Sequence, residues 1–163
     1  MGDGDREYMN SLKNLVDEKN LSAYVHFTGY REDVAEHIAL FTVGVLCSSH
    51  EGLPHFLIEA FASGCPMVAS DIEGIRLVMT EGKEGLFSRV NDPHSVASAI
   101  ERIITNPQLR EQMRKNARRK SYEYNIYEHV DKLCTLYEEL LSNRDKETER
   151  ARRWFRIKYR LKL

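Results

Sequence analysis

The sequence is organised around residues 43–70, which read VGVLCSSHEGLPHFLIEAFASGCPMVAS. Two short apolar runs, 43–47 and 66–69, stand at its ends, and a helical pattern from about 55 to 63 lies between them. Gly64 follows that pattern at the position where helices commonly end. A strand, a helix and a second strand in this order predict a βαβ unit with its two strands parallel in one sheet.

The same alternation extends outward from this unit in both directions. Apolar spacing predicts further strands at 23–27 and 86–90 and further helices at 5–19, 31–41 and 75–81. Three helices are expected after Asn91, with Asp92 as N-cap and Pro93 in the first turn of the first of them. The third, 127–141, is predicted to turn one face toward the core: Val130, Leu133, Cys134, Tyr137, Leu140 and Leu141. The predicted fold class is therefore α/β, with a parallel Rossmann-like sheet and flanking helices.

Length and composition limit the class of protein. A chain of 163 residues favours one packed domain, and no apolar run approaches the roughly 20 residues of a membrane-spanning helix. The N-terminus has neither the basic nor the apolar region of a signal peptide. The three cysteines form no CxxC pair, so we expect buried, reduced thiols in a cytoplasmic protein.

Charge is distributed unevenly. Of 24 basic residues, seven lie within 150–163, and that stretch holds no acidic residue. The remaining, acidic body argues against nucleic-acid binding.

We therefore divide the chain into a domain at 2–141 and a basic-aromatic tail at 142–163. From Phe155 onward apolar and basic residues alternate with the period of a strand, and the tail is open to three interpretations: a solvated end, a contact with an anionic membrane surface, or a strand added to a sheet edge.

Ligands of parallel sheets bind beyond the carboxyl ends of the strands, which here means 29–31, 48–55 and 70–76. In the second segment, Glu51 and Glu59 flank a strand-to-helix turn, and Gly52 permits close approach of a ligand to the backbone. The helix N-terminus near His55 offers N–H groups for a phosphate. Carboxylates accept hydrogen bonds from hydroxyl groups, and the backbone N–H groups beside them can bind a phosphate. This combination suits a sugar nucleotide. The alternative is a turn residue at Glu51 and a solvated helix residue at Glu59.

Two other kinds of site are not supported. Six histidines are present, but His50 and His55 have no partners at metal-ligand spacing, so no metal site is predicted. His55 is open to two interpretations, a contact with the sugar or phosphate and, more commonly for a residue of this kind, an ordinary loop-surface histidine. Ser48 and Ser49 lack the G-x-S-x-G context of a hydrolase nucleophile.

An ordered set of motifs adds a resemblance to a known family. The set comprises the E-x7-E pair Glu51 and Glu59, the segments 51–54, 57–64 and 65–70 around it, and the strand–glycine–helix segment 25–34. Together they resemble the signature of the family 4 retaining glycosyltransferases, over roughly residues 2–141. The resemblance implies two Rossmann-like domains with a cleft between them, of which this chain is similar to the C-terminal, donor-binding half.

The resemblance also implies roles for individual residues. Glu51 would be the catalytic residue and hold hydroxyls of the donor sugar, while Glu59 would hold the ribose hydroxyls. Backbone N–H groups within 53–56 would meet the diphosphate, and residues 30–31 would lie near the base. The implied donor-binding residues are Tyr30, Arg31, Glu51, Gly52, Leu53, Pro54, His55, Phe56 and Glu59. The implied reaction transfers a hexose or related sugar from a UDP- or GDP-linked donor to a glycan, lipid-linked or polysaccharide acceptor, with retained configuration and without a cofactor or metal.

By the same resemblance the chain is a fragment. The first strands of the donor domain, which lie between the strands at 23–28 and 43–47 in the family's sheet, and the N-terminal acceptor domain are both absent. We therefore expect the parent protein to be a transferase and the isolated chain to be incomplete for catalysis. The alternative is a non-catalytic module that contacts a membrane, at the cytoplasmic face, or a partner through its basic tail.

Overall fold

The computed structural model describes the backbone of residues 6–159, and all side chains in this range except those of 145, 147, 151, 152 and 155–159. Helices and short strands alternate in the first half of the chain, and helices alone follow. The elements are α1 (Arg6–Glu18), α2 (Val34–Ala39), β1 (Gly44–Leu46), α3 (His55–Ala62), β2 (Met67–Ser70), α4 (Glu73–Arg76), β3 (Gly85–Ser88), α5 (Pro93–Thr105), α6 (Pro107–Ser121), a 3₁₀ turn (Tyr122–Tyr124) and α7 (Ile126–Tyr159).

The described strands form one parallel sheet in the order β1-β2-β3. Gly44 of β1 lies opposite Met67 of β2, which in turn lies opposite Gly85 of β3. All four residues of β2 are buried because strands flank it on both edges and helices cover both faces. The predicted fold class, a parallel sheet with flanking helices, is confirmed.

Side chains of β2 alternate between the two helical layers, as the two-residue period of a strand requires. Met67 and Ala69 belong to one apolar cluster, in which Leu57 and Phe61 of α3 are fully buried. Val68 points to the opposite face and packs in a second cluster with residues of α5 and α6. The sheet is therefore the middle layer of the fold.

The predicted start of α5 is confirmed in detail. The Asp92 carboxylate accepts a hydrogen bond from the backbone N–H of Ser95 at 3.0 Å, and Pro93 occupies the first turn. Asn106 caps α6 in the same way, through the N–H of Leu109 at 3.0 Å. Each cap provides an acceptor for an N–H group that the first turn of a helix leaves without an intrahelical partner.

The strand predicted at 23–27 is wrong. Residues 23–28 are irregular and exposed in the structure. Apolar composition alone does not make a strand, because the backbone needs a neighbour to complete its hydrogen-bond ladder. The described residues supply none at this point, and they likewise leave one edge of β1 unpaired, where Val45 is 39% exposed.

The inward-facing stripe predicted for the last helix is also wrong. Of the six residues expected in the core, Leu133 is half-buried and the other five are exposed, including Tyr137 at 58%. The helical period itself was correctly recognised, but the described residues place no second layer over this face. Cys134 is exposed with it, and Cys47 is exposed beyond β1. Of the three cysteines expected to be buried, only Cys65 is, and its burial raises the pKa of the thiol to about 11.

The strand period expected from Phe155 is wrong as far as Tyr159, because α7 continues to that residue. The preceding residues, 147–153, consist mainly of Glu and Arg, which propagate a helix readily once it is formed. Residues 160–163 lie outside the described part. Helix α7 also runs without a break across residues 141–142. The division of the chain into a domain and a tail at that point stays a prediction. Among residues 6–159, no helix has both the length and the apolar character needed to cross a membrane.

The contribution of the core layer can be measured with two leucines. We expect Leu57→Ala, at a fully buried position, to lower the free energy of unfolding by about 2–5 kcal/mol, because it removes buried contacts and leaves a cavity. The matched control is Leu40→Ala, at a residue 83% exposed, which should change it by less than about 0.5 kcal/mol. Urea unfolding followed by circular dichroism measures both, and equal effects would contradict the assigned core.

Candidate functional site

Two loops meet at the carboxyl edge of the sheet. One runs from Cys47 to Pro54, between β1 and α3, and the other joins β2 to α4 through Asp71 and Ile72. They touch directly, since Gly74 at the start of α4 is buried against the backbone of the first loop. The structure thus brings together two of the three segments in which ligand-binding residues were predicted, 48–55 and 70–76.

Glu51 is held within its own loop. The Ser48 hydroxyl donates a hydrogen bond of 2.7 Å to Oε1 of Glu51, and both residues are half-buried. Gly52 follows in an exposed position, and the space where a side chain would stand is open to at least 4 Å. A ligand can therefore approach the backbone beside the Glu51 carboxylate.

Helix α3 begins without a side-chain cap, unlike α5 and α6. Its N-cap is Pro54, whose carbonyl accepts the N–H groups of Leu57 at 3.0 Å and Ile58 at 3.4 Å. The first-turn N–H groups of His55 and Phe56 have no acceptor within the helix, as at any helix start. These two donors, together with the positive end of the helix dipole, favour an anion at this edge.

The remaining predicted residues of this segment differ in exposure. Pro54 is buried, Phe56 is half-buried against the α3 cluster, and Leu53 is 50% exposed. Glu59 lies one turn into α3 beyond His55 and is exposed. The Glu59 carboxylate is therefore accessible to a ligand from solvent. It lies on the same helix whose N-terminus is the candidate anion position.

The third predicted segment is not joined to the other two by any hydrogen bond or ion pair among the described residues. Tyr30 is exposed, and Arg31 forms a bidentate pair with Asp33, at 2.9 and 2.7 Å. The guanidinium of Arg31 lowers the pKa of the Asp33 carboxyl, because it donates hydrogen bonds to the charged form. Arg31 thus already has a carboxylate partner in its own segment.

A second bidentate pair closes the loop between β2 and α4. Arg76 donates from Nε and Nη2 to the two oxygens of Asp71, at 2.6 and 2.8 Å. Hydrogen bonding by Arg76 lowers the pKa of the Asp71 carboxyl. The pair spans five residues and includes Gly74, so it helps to fix α4 against the first loop.

A concavity of about 540 Å³ adjoins the far side of the first loop. It lies between the first half of α3 and the start of α7. Its lining includes Leu53, His55, Ile58, Tyr124, His129 and Lys132. Burial raises the pKa of the Tyr124 hydroxyl, in line with the partly enclosed position of this residue. In the described part of the chain, no group of three or more His, Cys, Asp or Glu side chains is arranged to hold a metal ion.

Ser48, Gly74 and Arg76 belong to the site region but were not singled out from the sequence. Ser48 lies in the predicted segment 48–55, and Gly74 and Arg76 lie in the predicted segment 70–76, but the sequence predicts no role in the site for any of them. Their partners lie across a loop or on another element, so spacing along the chain carries no direct signal for them. A glycine in the segment that follows a buried strand is the one local feature that points to a close backbone approach.

The family follows from a comparison of sequences. The profile of the family described as "Glycosyl transferases group 1" matches residues 2–120, which is most of the chain. The chain belongs to this family. The resemblance inferred from the E-x7-E segment is thereby confirmed.

Curated relatives agree with this assignment. The chain is 35% identical over 107 residues to the lipopolysaccharide core biosynthesis glycosyltransferase LpsE of Rhizobium meliloti, covering 66% of this chain and 32% of the relative. It is 33% identical over 143 residues to a UDP-Gal:alpha-D-GlcNAc-diphosphoundecaprenol alpha-1,3-galactosyltransferase of Escherichia coli, covering 86% and 37%. The chain thus spans about a third of the length of these relatives.

Solved structures share the fold. A sucrose-phosphate synthase from Thermosynechococcus elongatus superposes with a TM-score of 0.80 at 28% identity, covering 87% of this chain and 37% of that one. HepE from Anabaena, solved in complex with UDP, superposes with a TM-score of 0.81 at 21% identity, covering 85% and 39%. At that identity the second likeness concerns the fold alone.

The Asp71–Arg76 pair makes a testable statement about pH. We expect Arg76→Ala to raise the pKa of Asp71 toward its ordinary value, because the hydrogen bonds to the carboxylate are lost. A depressed carboxyl pKa stabilises the fold above the ordinary pKa, and this contribution disappears as the pH falls through the lowered value. Carboxyl carbon NMR across an acid titration measures the shift. Arg89→Ala, which removes the partner of Asp92 instead, is the control and should leave Asp71 unchanged.

Proposed function

We propose that this chain is the nucleotide-sugar donor-binding part of a retaining glycosyltransferase. The observation that carries the proposal is the uncapped start of α3 between two carboxylates, Glu51 before it and Glu59 within it. The N–H groups of His55 and Phe56 suit a diphosphate, which a carboxylate cannot bind at neutral pH. The carboxylates suit hydroxyl groups, which donate to them in charge-assisted hydrogen bonds.

The roles that we propose for individual residues are those that the family resemblance implies. Glu51, half-buried beside the open backbone at Gly52, would accept hydrogen bonds from hydroxyl groups of the donor sugar and act as the catalytic residue. Glu59, exposed one turn into α3, would accept hydrogen bonds from the ribose hydroxyl groups. Leu53 and His55 would border the ligand between the loop and the 540 Å³ concavity. Tyr30 and Arg31 would lie near the base.

The relatives favour a uridine nucleotide as the donor. The Escherichia coli relative is named for UDP-Gal, and HepE was solved with UDP and with UDP-glucose. We therefore propose a UDP-linked hexose, with a GDP-linked sugar as the alternative. One relative is named for lipopolysaccharide core biosynthesis and the other for an alpha-D-GlcNAc-diphosphoundecaprenol acceptor, so we propose a glycan, lipid-linked or polysaccharide acceptor. Transfer with retained configuration and without a metal ion is part of the same proposal.

Catalysis would need more than this chain. The match to this chain covers only 32% and 37% of the two relatives, and β1 has an unpaired edge among the described residues, where further strands of a donor domain would pair. The exposed apolar face of α7, with Val130, Tyr137 and Leu140, would contact the acceptor-binding part. Burying such a face gives roughly 25 cal/mol for each Å² of apolar surface removed from water.

Binding of the donor tests the proposal. We expect the chain to bind one of UDP-galactose, UDP-glucose or GDP-mannose saturably in calorimetry. Glu59→Gln should weaken that binding by roughly 10- to 150-fold, the equivalent of about 1.5–3 kcal/mol for hydrogen bonds to a charged group. Glu101→Gln, an exposed glutamate on α5, is the matched control and should bind as the wild type does. Absence of binding by folded protein would contradict the proposal.

The basic tail supports a second candidate, a contact with an anionic membrane surface at its cytoplasmic face. On the described part of α7, Arg150, Arg153 and Trp154 are exposed close together. Basic residues are attracted to anionic headgroups, and tryptophan favours the interface between headgroups and acyl chains. Such a contact would also hold a transferase near a lipid-linked acceptor.

Vesicle binding measures this contact. Replacing Arg150 and Arg153 together by Ala should weaken binding to phosphatidylserine-containing vesicles by roughly 30-fold, at about 1 kcal/mol for each residue. The matched double variant, with Lys13 on α1 and Lys19 directly after it replaced by Ala, should bind as the wild type does. Equal binding to purely zwitterionic vesicles would rule out the electrostatic contact.

A further inference from the structure

The side chain of Glu51 is oriented by a neighbour that the donor site does not otherwise use. Ser48 stands three residues earlier in the same loop, and its hydroxyl donates to Oε1 of Glu51 at 2.7 Å. A carboxylate has two oxygens with about four acceptor positions. One of them is taken by Ser48, so Oε2 and the second position on Oε1 are left for hydroxyl groups of a ligand.

The main chain at Glu51 is fixed from the opposite side by Gly74. A Cβ at Gly74 would collide with the carbonyl oxygen of Glu51, and it would lie 2.8 Å from that carbonyl carbon and 3.0 Å from the carbonyl oxygen of Gly52. Its φ is not in the left-handed region, so space and not backbone conformation demands glycine here. Helix α4 therefore lies directly against the peptide group that carries the candidate sugar-binding carboxylate.

Helix α4 is itself firmly placed. Ile75, next to Gly74, is fully buried in the cluster shared with α3 and β2. The bidentate pair of Asp71 and Arg76 encloses the same short segment. A shift of Gly74 would therefore require movement in the core. Because the loop at Gly52 is exposed, a side chain added at Gly74 would displace this loop and not α4.

We propose that Ser48 and Gly74 are positioning residues that together hold Glu51 ready for the donor sugar. Ser48 sets the direction of the carboxylate, and Gly74 sets the position of the peptide group from which it projects. Holding an acceptor group in place before the ligand arrives removes an ordering cost from binding. This inference rests on the proposed function, since it assigns the two residues to the part of the site that meets the sugar and not to the part that meets the nucleotide.

That distinction defines the measurement, which is a ratio of two affinities. Each protein is titrated with UDP-galactose, UDP-glucose and GDP-mannose, and the tightest of them is compared with its own free nucleoside diphosphate. The ratio isolates the contribution of the sugar. A general loss of stability does not change it selectively, and thermal unfolding of each variant establishes that the protein is folded.

We expect Ser48→Ala to reduce the ratio by roughly 2- to 10-fold, because the Glu51 side chain must then be ordered when the sugar binds, with the affinity for the free nucleotide unchanged. Ser48→Thr, which keeps the hydroxyl, should retain the ratio. Ser49→Ala is the matched control, because the hydroxyl of Ser49 contacts His50 and not Glu51. Gly74→Ala should abolish the preference for the sugar conjugate, because the added methyl group displaces the loop. If Gly74→Ala does not fold, Ser48→Ala alone decides the result.

The outcomes separate this inference from the proposed function. If the wild type prefers the sugar conjugate and Glu51→Gln loses that preference while Ser48→Ala and folded Gly74→Ala keep it, the positioning role is overturned and the donor site stands. If the wild type binds none of the nucleotides, the proposed function is overturned and the positioning role with it. Loss of the preference in Ser48→Ala with retention in Ser48→Thr and Ser49→Ala supports both.

Discussion

Strand β2 determines the arrangement of the described structure, because it is hydrogen-bonded to a strand on each edge and all four of its residues are buried. Parallel pairing with β1 sets both strands in the same direction, so the loops that follow them emerge at one edge of the sheet. That edge carries Glu51 on the first loop and Gly74 beyond the second. The site region is thus a consequence of sheet pairing, and the contact between Gly74 and Glu51 fixes it more closely than loop sequence alone would.

Elements whose partners lie within the chain could be predicted well from the sequence. Helix α3, strand β2 and the Asp92 cap of α5 were all expected at or within a residue or two of their observed bounds. Each depends on local signals, namely helical spacing, a short apolar run and a capping side chain. Residues 23–27 and the apolar face of α7 were assigned wrongly for one shared reason. Their patterns imply burial or pairing, but the neighbour that would complete it is not among the described residues.

Some features of the candidate site can be read from the sequence and others cannot. The E-x7-E segment located the loop and helix, and the family is confirmed by the match over residues 2–120. The Ser48 hydrogen bond and the Gly74 contact could not be predicted, since each depends on a rotamer or on the distance between two elements. The position of Arg31 near the base stays a prediction, and in the described structure its side chain pairs with Asp33. Position beyond a strand indicates where a ligand can bind, and only packing indicates which side chains are available to it.

The central claim is that the loop after β1 and the start of α3 receive a nucleotide sugar. The most direct measurement follows the backbone amide signals of the isotope-labelled chain by NMR while UDP-galactose is added. We predict the largest changes at Gly52, His55, Phe56 and Gly74, which line one edge of the sheet, with Tyr137 on the far part of α7 unaffected. Changes confined to α7, or none at any residue up to millimolar nucleotide sugar, would contradict the account.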